Sequence, residues 1–261
     1  MRPKLSTMDA KIDTTQAHPA RRYNYWLGGS HYFEADRVSG DAIEAAMPTI
    51  RLMAVENRRF LGRAAEFVAA QGVRQFLDIG TGLPAPGGVG DVVRAVASSA
   101  TIVFVDNDPL VTAQAAALPG SYFEADIRSP REILDHPALA VLDLAEPVGL
   151  MLAAVLHFVR DDEDPAGIVR TFLDALAPGS YVVASHATWE YVSPAAIGQL
   201  QAQNPGGRFA PRDGDVFAAW FDGHSPVPPG LVSVAHWHAE GEPQPRPAVE
   251  DVGCNGLVAR V

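Results

Sequence analysis

Cysteine is all but missing from this 261-residue chain: Cys254 stands alone. A single thiol excludes a disulfide within the chain and a thiolate metal cluster. Lysine is nearly as scarce, with only Lys4 and Lys11. Acids outnumber bases, 31 Asp and Glu against 20 Lys and Arg, for a formal net charge of −11. Nucleic-acid recognition needs clustered cations, and no cluster is visible. Long apolar runs are missing too. The longest, residues 148–159, is too short to span a bilayer and contains His157. The N-terminal stretch has no apolar core of a secretory signal, so the cytoplasm is the expected location.

What is present is a globular composition, 48% hydrophobic and 20% charged. The length suits one large α/β domain. Residues 1–20 are polar and unpatterned, and are expected to be mobile. Residues 21–72 are expected to form a helical cap. Within them Met53, Phe60, Ala64, Phe67 and Val68 recur near helical spacing, and Gly72 is placed as a stop. Residues 73–261 form the expected core, where short strands and helices alternate. Strands are expected at 73–79, 101–108, 121–126, within 147–159, and at 180–187. They are continuous apolar runs rather than alternations, which implies cover on both faces. Helices are expected at 90–97, 108–118, 164–179 and 213–221. Asp108 and Asp164 each precede a proline, the order of an N-cap followed by a first helical residue. Such alternation gives a doubly wound, mostly parallel sheet. Residues 228–240 and 253–261 look like a closing antiparallel pair.

The stretch "QFLDIGTGLPAPGG", residues 75–88, carries the chemistry. Gly80, Thr81 and Gly82 make a turn straight after an apolar strand, in a nominal glycine fingerprint completed by Ala85. Alone this is weak evidence for a dinucleotide. Ligands of open α/β sheets bind at the carboxyl ends of the strands, and Asp78, Asp106 and Asp126 all fall there. Asp106 lies 24 residues beyond Gly82, suited to accept hydrogen bonds from ribose hydroxyls. A carboxylate at that place repels a 2′-phosphate and argues against NADP. Asp78 near a pyrophosphate would add like-charge repulsion, whereas S-adenosylmethionine carries an ammonium and a sulfonium and no phosphate. Pro84 and Pro86 lack the N–H groups that an anion cradle needs. The residues therefore favour a cationic adenosyl ligand, with an NAD-dependent oxidoreductase as an alternative.

"FLDIGTG", "VFVDNDP", "FEADIRSP", "AVLHFVRDDEDPAGIV" and "LAPGSYVVASHAT" resemble, in order and spacing, the motifs of Rossmann-like methyltransferases. More narrowly, "ARRYNYWLGGSHYFEADR" (20–37) resembles the opening of an actinobacterial S-adenosylmethionine-dependent methyltransferase family. Arg21, Tyr23, Asn24, Tyr25, Leu27, Gly28, Gly29, Phe33, Asp36 and Arg37 carry the match. Ser30 and Tyr32 depart from it, standing where the family often has Lys and Asn. The resemblance covers roughly residues 20–261. It implies an α/β Rossmann-like class I methyltransferase fold with a seven-stranded, mostly parallel sheet, a C-terminal antiparallel strand and the N-terminal cap.

It also implies bound S-adenosylmethionine, with S-adenosylhomocysteine as product. Gly80 and Gly82 are expected to let the chain approach the methionine part, and Asp78 to hold its ammonium. Asp106 takes the ribose, assisted by Asn107, and Asp126 with Ile127 contacts adenine. Tyr23 and Tyr25, crowded around Gly28 and Gly29, are expected to form a lid with a glycine hinge and aromatic faces toward the sulfonium. His157, after the fourth strand, is the candidate acceptor-site base. No metal is expected: His236 and His238 share a strand face but lack a third ligand. "DDED" (161–164) reads as a solvated helix start. The expected partner is a small-molecule acceptor, with a homodimer admissible and neither nucleic acid nor membrane in view. Cofactor binding without methyl transfer is a further alternative.

Overall fold

The computed structural model describes residues 12–115, 118–204 and 206–261. The stretch expected to be mobile lies outside the described residues up to residue 11. Residues 12–20 make contacts of their own: Ile12 packs on Leu83, Leu110 and Val111, and the carbonyl of Asp13 accepts from Arg21.

Three helices come first, α1 (Pro19–Trp26), α2 (Glu34–Ala46) and α3 (Ile50–Ala70). Helix α1 begins with Pro19 at its first position, and the His18 ring accepts from the Ala20 N–H. It ends because Gly28 adopts φ +79°. The N–H of Gly28 then reaches the carbonyl of Tyr25, and that of Gly29 the carbonyl of Asn24. This paired closure is the Schellman motif, which needs a residue tolerant of left-handed backbone. Helix α3 buries Ala54, Asn57, Phe60, Leu61, Ala64 and Val68, a face three and four residues apart. The cap expected over 21–72 therefore divides. Helices α1 and α2 pair with each other, while α3 covers the sheet.

The core follows as β1 (Gln75–Ile79), α4 (Val89–Val96), β2 (Thr101–Asp106), α5 (Pro109–Ala115), β3 (Ser121–Glu124), α6 (Pro130–Leu134) and β4 (Val148–Ala153). Then come α7 (Pro165–Leu173), β5 (Tyr181–Ala187), α8 (Pro194–Ala202), α9 (Gly214–Ala219), β6 (Ser225–Pro226), β7 (Val232–Ser233), α10 (Val249–Val252) and β8 (Cys254–Arg260). Both expected caps form: the Asp108 carboxylate accepts from Leu110 N–H, and that of Asp164 from Gly167 N–H. Strand order is β3-β2-β1-β4-β5-β8-β6, with β7 also on β8. The first five strands are parallel, and β8 runs antiparallel to β5 from Tyr181↔Arg260 to Ala187↔Cys254.

Side-chain alternation sorts the core into two layers. Leu77, Ile79, Val103, Val105, Leu150, Leu152 and Val182 meet Ile168, Val169 and Phe172 of α7. Phe76, Ile102, Phe104, Met151 and Val183 meet α3 and α4 through Phe60, Ala64, Val68, Val89 and Val93. Asp78 follows Phe76 by two residues and Asp106 follows Phe104 by two. Both carboxylates therefore continue the α3/α4 face at the carboxyl rim.

The closing edge differs from expectation. Among the described residues the sheet has eight strands where seven were expected, and only residues 232–233 of the expected 228–240 strand pair with β8. Pro226, Pro228 and Pro229 have no N–H to donate, so the edge breaks into two short ribbons. The bonds Val227 N to Val258 O and Val234 N to Cys254 O hold them. His236 and His238 consequently lie in turns and do not alternate on one strand. His238 stacks on the fully buried Trp237.

Candidate cofactor site

The turn after β1 is pinned to β2. The N–H groups of Gly80 and Thr81 both donate to the carbonyl of Val105, at 2.8 and 3.1 Å. Gly80 has φ +73°, and a Cβ on it would fall 2.6 Å from Val155 Cγ2, so close packing behind the turn requires glycine. Gly82 has φ +70°, and a Cβ there would meet nothing within 4 Å. The turn is thus backed on one side by the segment after β4 and open on the other.

Two buried carboxylates flank it. Asp106 is 5% exposed; its Oδ2 accepts from Gly82 N–H at 2.8 Å and its Oδ1 from Asp108 N–H at 2.9 Å. A carboxylate has about four acceptor positions, so each oxygen keeps one free. Asp78 is 3% exposed and, among the described residues, accepts only the Thr81 hydroxyl, at 2.8 Å. Burial pushes both carboxyls up to about 6. Neither has a cationic hydrogen-bond partner among the described residues. Two buried acids with no cation bonded to either, beside an open glycine turn, fit a positively charged adenosyl ligand and disfavour a pyrophosphate against them.

Asp78 gives a prediction with a fixed sign. Its folded pKa lies above the unfolded value, so its contribution to stability is present at low pH and lost as pH rises through about 6. Asp78→Asn should therefore raise the melting temperature of the ligand-free protein at pH 7.5. The shift corresponds to at most about 3 kcal/mol. The same change should weaken S-adenosylmethionine about tenfold. Thermal melts with and without ligand read both signs at once.

The remaining expected residues are placed less simply. Asp126 is fully engaged: Oδ1 accepts from the backbone N–H and Nε of Arg128, and Oδ2 from Arg128 Nη2 and Asn107 Nδ2. Burial would raise its pKa, but Arg128 holds it below the usual carboxylate range. An adenine amino group reaches this oxygen set only by displacing Arg128 or Asn107. The side chain of Ile127 packs into the α7-side core.

The lid residues are also occupied. The Tyr23 hydroxyl donates to the Ala54 carbonyl and accepts from Asn57 Nδ2, each at 2.9 Å, and burial pushes it up to about 12. Asn57 Oδ1 accepts from Ser185 Oγ at 2.5 Å, and that oxygen accepts from Ala154 N–H at 2.9 Å. One polar chain therefore ties the cap to the ends of β4 and β5. The Tyr25 hydroxyl donates to Asp41, and Arg51 lies over its ring. Gly28 and Gly29 serve the helix end described above. A Cβ on Gly29 would strike the Asn24 amide at 2.4 Å.

The base expected at His157 is not available. Its Nδ1 accepts the Ala187 N–H at 3.2 Å, which places its proton on Nε2, and neutral imidazole has only one basic nitrogen. The ring is 3% exposed, and burial, with His186 and Arg212 beside it, keeps its pKa well below the ordinary value. Around it Phe158, Trp189 and Phe209 form a half-buried aromatic wall at the β4 and β5 ends. In the 161–164 run, Arg212 pairs with Asp161 and Arg160 with Asp162.

Sequence reading overlooked the anchor of the cap. Buried Arg21 grips buried Asp108 with two bonds, Nε to Oδ2 at 2.7 Å and Nη2 to Oδ1 at 2.8 Å. Arg21 stands inside the quoted N-terminal motif, but no local pattern pairs it with a residue 87 positions away.

A parallel sheet closed by an antiparallel strand, with acids at the ends of β1 and β2 around a glycine turn, defines a Rossmann-like S-adenosylmethionine-dependent methyltransferase. The sequence profile of the S-adenosyl methyltransferase family matches residues 6–261, and the chain belongs to that family. It is 37% identical to a DUF574 family protein from Streptomyces avermitilis, covering 96% of this chain and 99% of that one, with a TM-score of 0.88. A methyltransferase candidate from Thermobifida fusca is 31% identical over 97% of both chains, also at 0.88. An O-methyltransferase family protein from Burkholderia thailandensis, 14% identical with a TM-score of 0.52, shares the fold; the match covers 81% of this chain and 57% of that one. No curated protein matches. Among the described residues, no helix is long and apolar enough to cross a membrane, and no three His, Cys, Asp or Glu side chains are grouped to hold a metal ion.

Proposed function

We propose that this methyltransferase acts in the cytoplasm on a small-molecule acceptor that enters over the β4 and β5 ends. Its cofactor lies across the glycine turn after β1, beside the end of β2. In this reading Asp106 offers its two free acceptor positions to the ribose hydroxyls. Asp78 meets the methionine ammonium, and the Gly80–Gly82 turn lets the backbone come close. Asn107, Asp126 and Ile127 border the adenine, with Arg128 yielding a position on Asp126. Helices α1 and α2, with Tyr23, Tyr25, Gly28 and Gly29, act as a fixed roof. The core runs from β1 to the C-terminus, with α3 as its first cover.

Bound S-adenosylmethionine supplies a methyl group on a good sulfur leaving group. The protein's share is to hold the acceptor in line and keep water out. The aromatic wall of Phe158, Trp189 and Phe209 gives an apolar surface for that purpose. His157 and His186 each have their acceptor nitrogen engaged, by Ala187 N–H and by Arg212. Neither removes a proton, so the reading favours an acceptor that attacks already deprotonated or from a neutral lone pair.

The observation that carries this reading is the pair of buried carboxylates around the turn, neither of which is hydrogen-bonded to a cation among the described residues. A thermal-shift panel tests it. S-adenosylmethionine and S-adenosylhomocysteine should each raise the melting temperature, while NAD and NADP should not. Stabilisation by NAD alone would point to hydride transfer instead. Release of S-adenosylhomocysteine across an acceptor panel then distinguishes turnover from cofactor binding without transfer.

A further inference from the structure

A cavity of about 260 Å³ opens beside the glycine turn, and Arg58 of α3 lines it together with Thr81, Leu83, Pro84 and Tyr122. Arg58 is half-buried and lies over the 80s loop: a Cβ on Gly88 would stand 3.2 Å from its Nη2. Among the described residues it has no side-chain hydrogen bond or ion pair. Five other arginines drawn into the structure each hold a carboxylate, while Arg22, among the described residues, bonds only the Ser39 hydroxyl. Arg21 holds Asp108, Arg63 holds Glu242, Arg128 holds Asp126, Arg212 holds Asp161 and Arg246 holds Glu56. A guanidinium taken partly from water without a partner is costly, and such a site favours an anion.

The anion's nature follows from the neighbour. Burial drives the Asp78 carboxyl up, and Arg58 is the charged group that pulls it back, so the two lie within electrostatic reach. They do not bond to each other. Asp91 lines the same cavity, but its carboxylate accepts from Gly87 N–H and does not bond Arg58, so among the described residues neither Arg58 nor Asp78 has a bonded counter-ion. A zwitterion placed between them satisfies both, and a phosphate or a plain amine satisfies only one.

We infer that Arg58 binds the carboxylate of the methionine part of S-adenosylmethionine, opposite the ammonium at Asp78. This rests on the cofactor reading of the turn given above. It makes the Arg58–Asp78 pair a clamp for an α-amino acid rather than for the adenosine, which lies toward Asp106.

Decarboxylated S-adenosylmethionine differs from the cofactor only in lacking the carboxylate, and it isolates the contact. Calorimetric titration of the full chain should show the wild type preferring the intact cofactor by about 10- to 30-fold. Arg58→Gln should lose that preference: intact cofactor weakens about tenfold or more, while the decarboxylated ligand is unchanged within about twofold. Arg58→Lys, which keeps the charge but not the fork, should retain part of the preference. 5′-Methylthioadenosine, without the amino-acid part, should bind all three proteins alike. Equal weakening of both adenosyl ligands by Arg58→Gln, or unchanged binding of the intact cofactor, overturns the assignment. A wild type that binds none of these ligands overturns the cofactor reading beneath it, a different result. Ligand-free melts of the variants confirm that each is folded.

Discussion

Asp106→Ala should lower affinity for S-adenosylmethionine by about 100-fold or more. Two losses add. The ribose hydroxyls lose a charged acceptor, and hydrogen bonds to charged groups are worth about 1.5–3 kcal/mol each. The N–H groups of Gly82 and Asp108, which Asp106 holds at 2.8 and 2.9 Å, lose their partner as well. The turn at φ +70° is then free to relax, and the site is no longer pre-formed. Asp106→Asn separates the two losses. Its single carbonyl oxygen can still accept from Gly82, so most of the turn survives and the affinity loss should be about tenfold. The ligand-free proteins should differ little in stability from the wild type. Removing a buried carboxyl that titrates near 6 offsets the lost backbone bonds. Titration calorimetry with S-adenosylmethionine and S-adenosylhomocysteine measures the effect. Affinity within threefold of wild type for Asp106→Ala would remove Asp106 from the ribose site.

Most of the fold was legible because its signals are local. Strands β1, β2, β4 and β5 are continuous apolar runs. Pro109 and Pro165 each follow a capping acid, and Gly72 ends α3 at φ +94°. The glycine turn and its two acids were legible for a similar reason: each acid ends an apolar run. What was not legible comes from partners outside the local pattern or from donors that are missing. Residues 228–240 alternate like a strand, yet Pro228 and Pro229 at their start have no N–H to donate, and only residues 232–233 pair with β8. His157 follows β4 as a catalytic base could, but its basic nitrogen is taken by Ala187 at the end of β5. Asp126 sits where an adenine contact is expected, and Arg128, two residues on, reaches it first. Arg58 and Arg59 are adjacent on one helix and indistinguishable in the sequence. The helix turns one onto Glu56 and Glu242 and leaves the other over the glycine turn.

Arg21→Ala should cost about 3–5 kcal/mol of folding stability, the largest single effect expected at an ion pair here. The pair is buried on both sides, with Arg21 3% and Asp108 0% exposed, and it is bidentate. Taking away the guanidinium leaves a carboxylate in the interior that only the Leu110 N–H and His18 can answer. Burial alone would raise the Asp108 carboxyl, and Arg21 with His18 holds it below its ordinary value. Its contribution to stability is therefore present above the unfolded pKa and lost as pH falls through the folded one. The gap between wild type and Arg21→Ala should shrink on acidification below about pH 4. Asp108→Asn keeps the helix cap, since Asn caps as well as Asp, and removes the charge. The double variant should recover about 2 kcal/mol relative to the sum of the single changes, because neither partner is then left buried alone. Urea denaturation of the four proteins at pH 7.5 and pH 4 supplies every term. The same set reports on function, because Asp108 donates its N–H to Asp106. If α1 is a fixed roof held by this pair, Arg21→Ala should also weaken S-adenosylmethionine beyond what Asp108→Asn does alone. Strict additivity of the two stability losses, with unaltered cofactor affinity, would mean that the cap is held by its apolar packing and that Arg21 is a bystander.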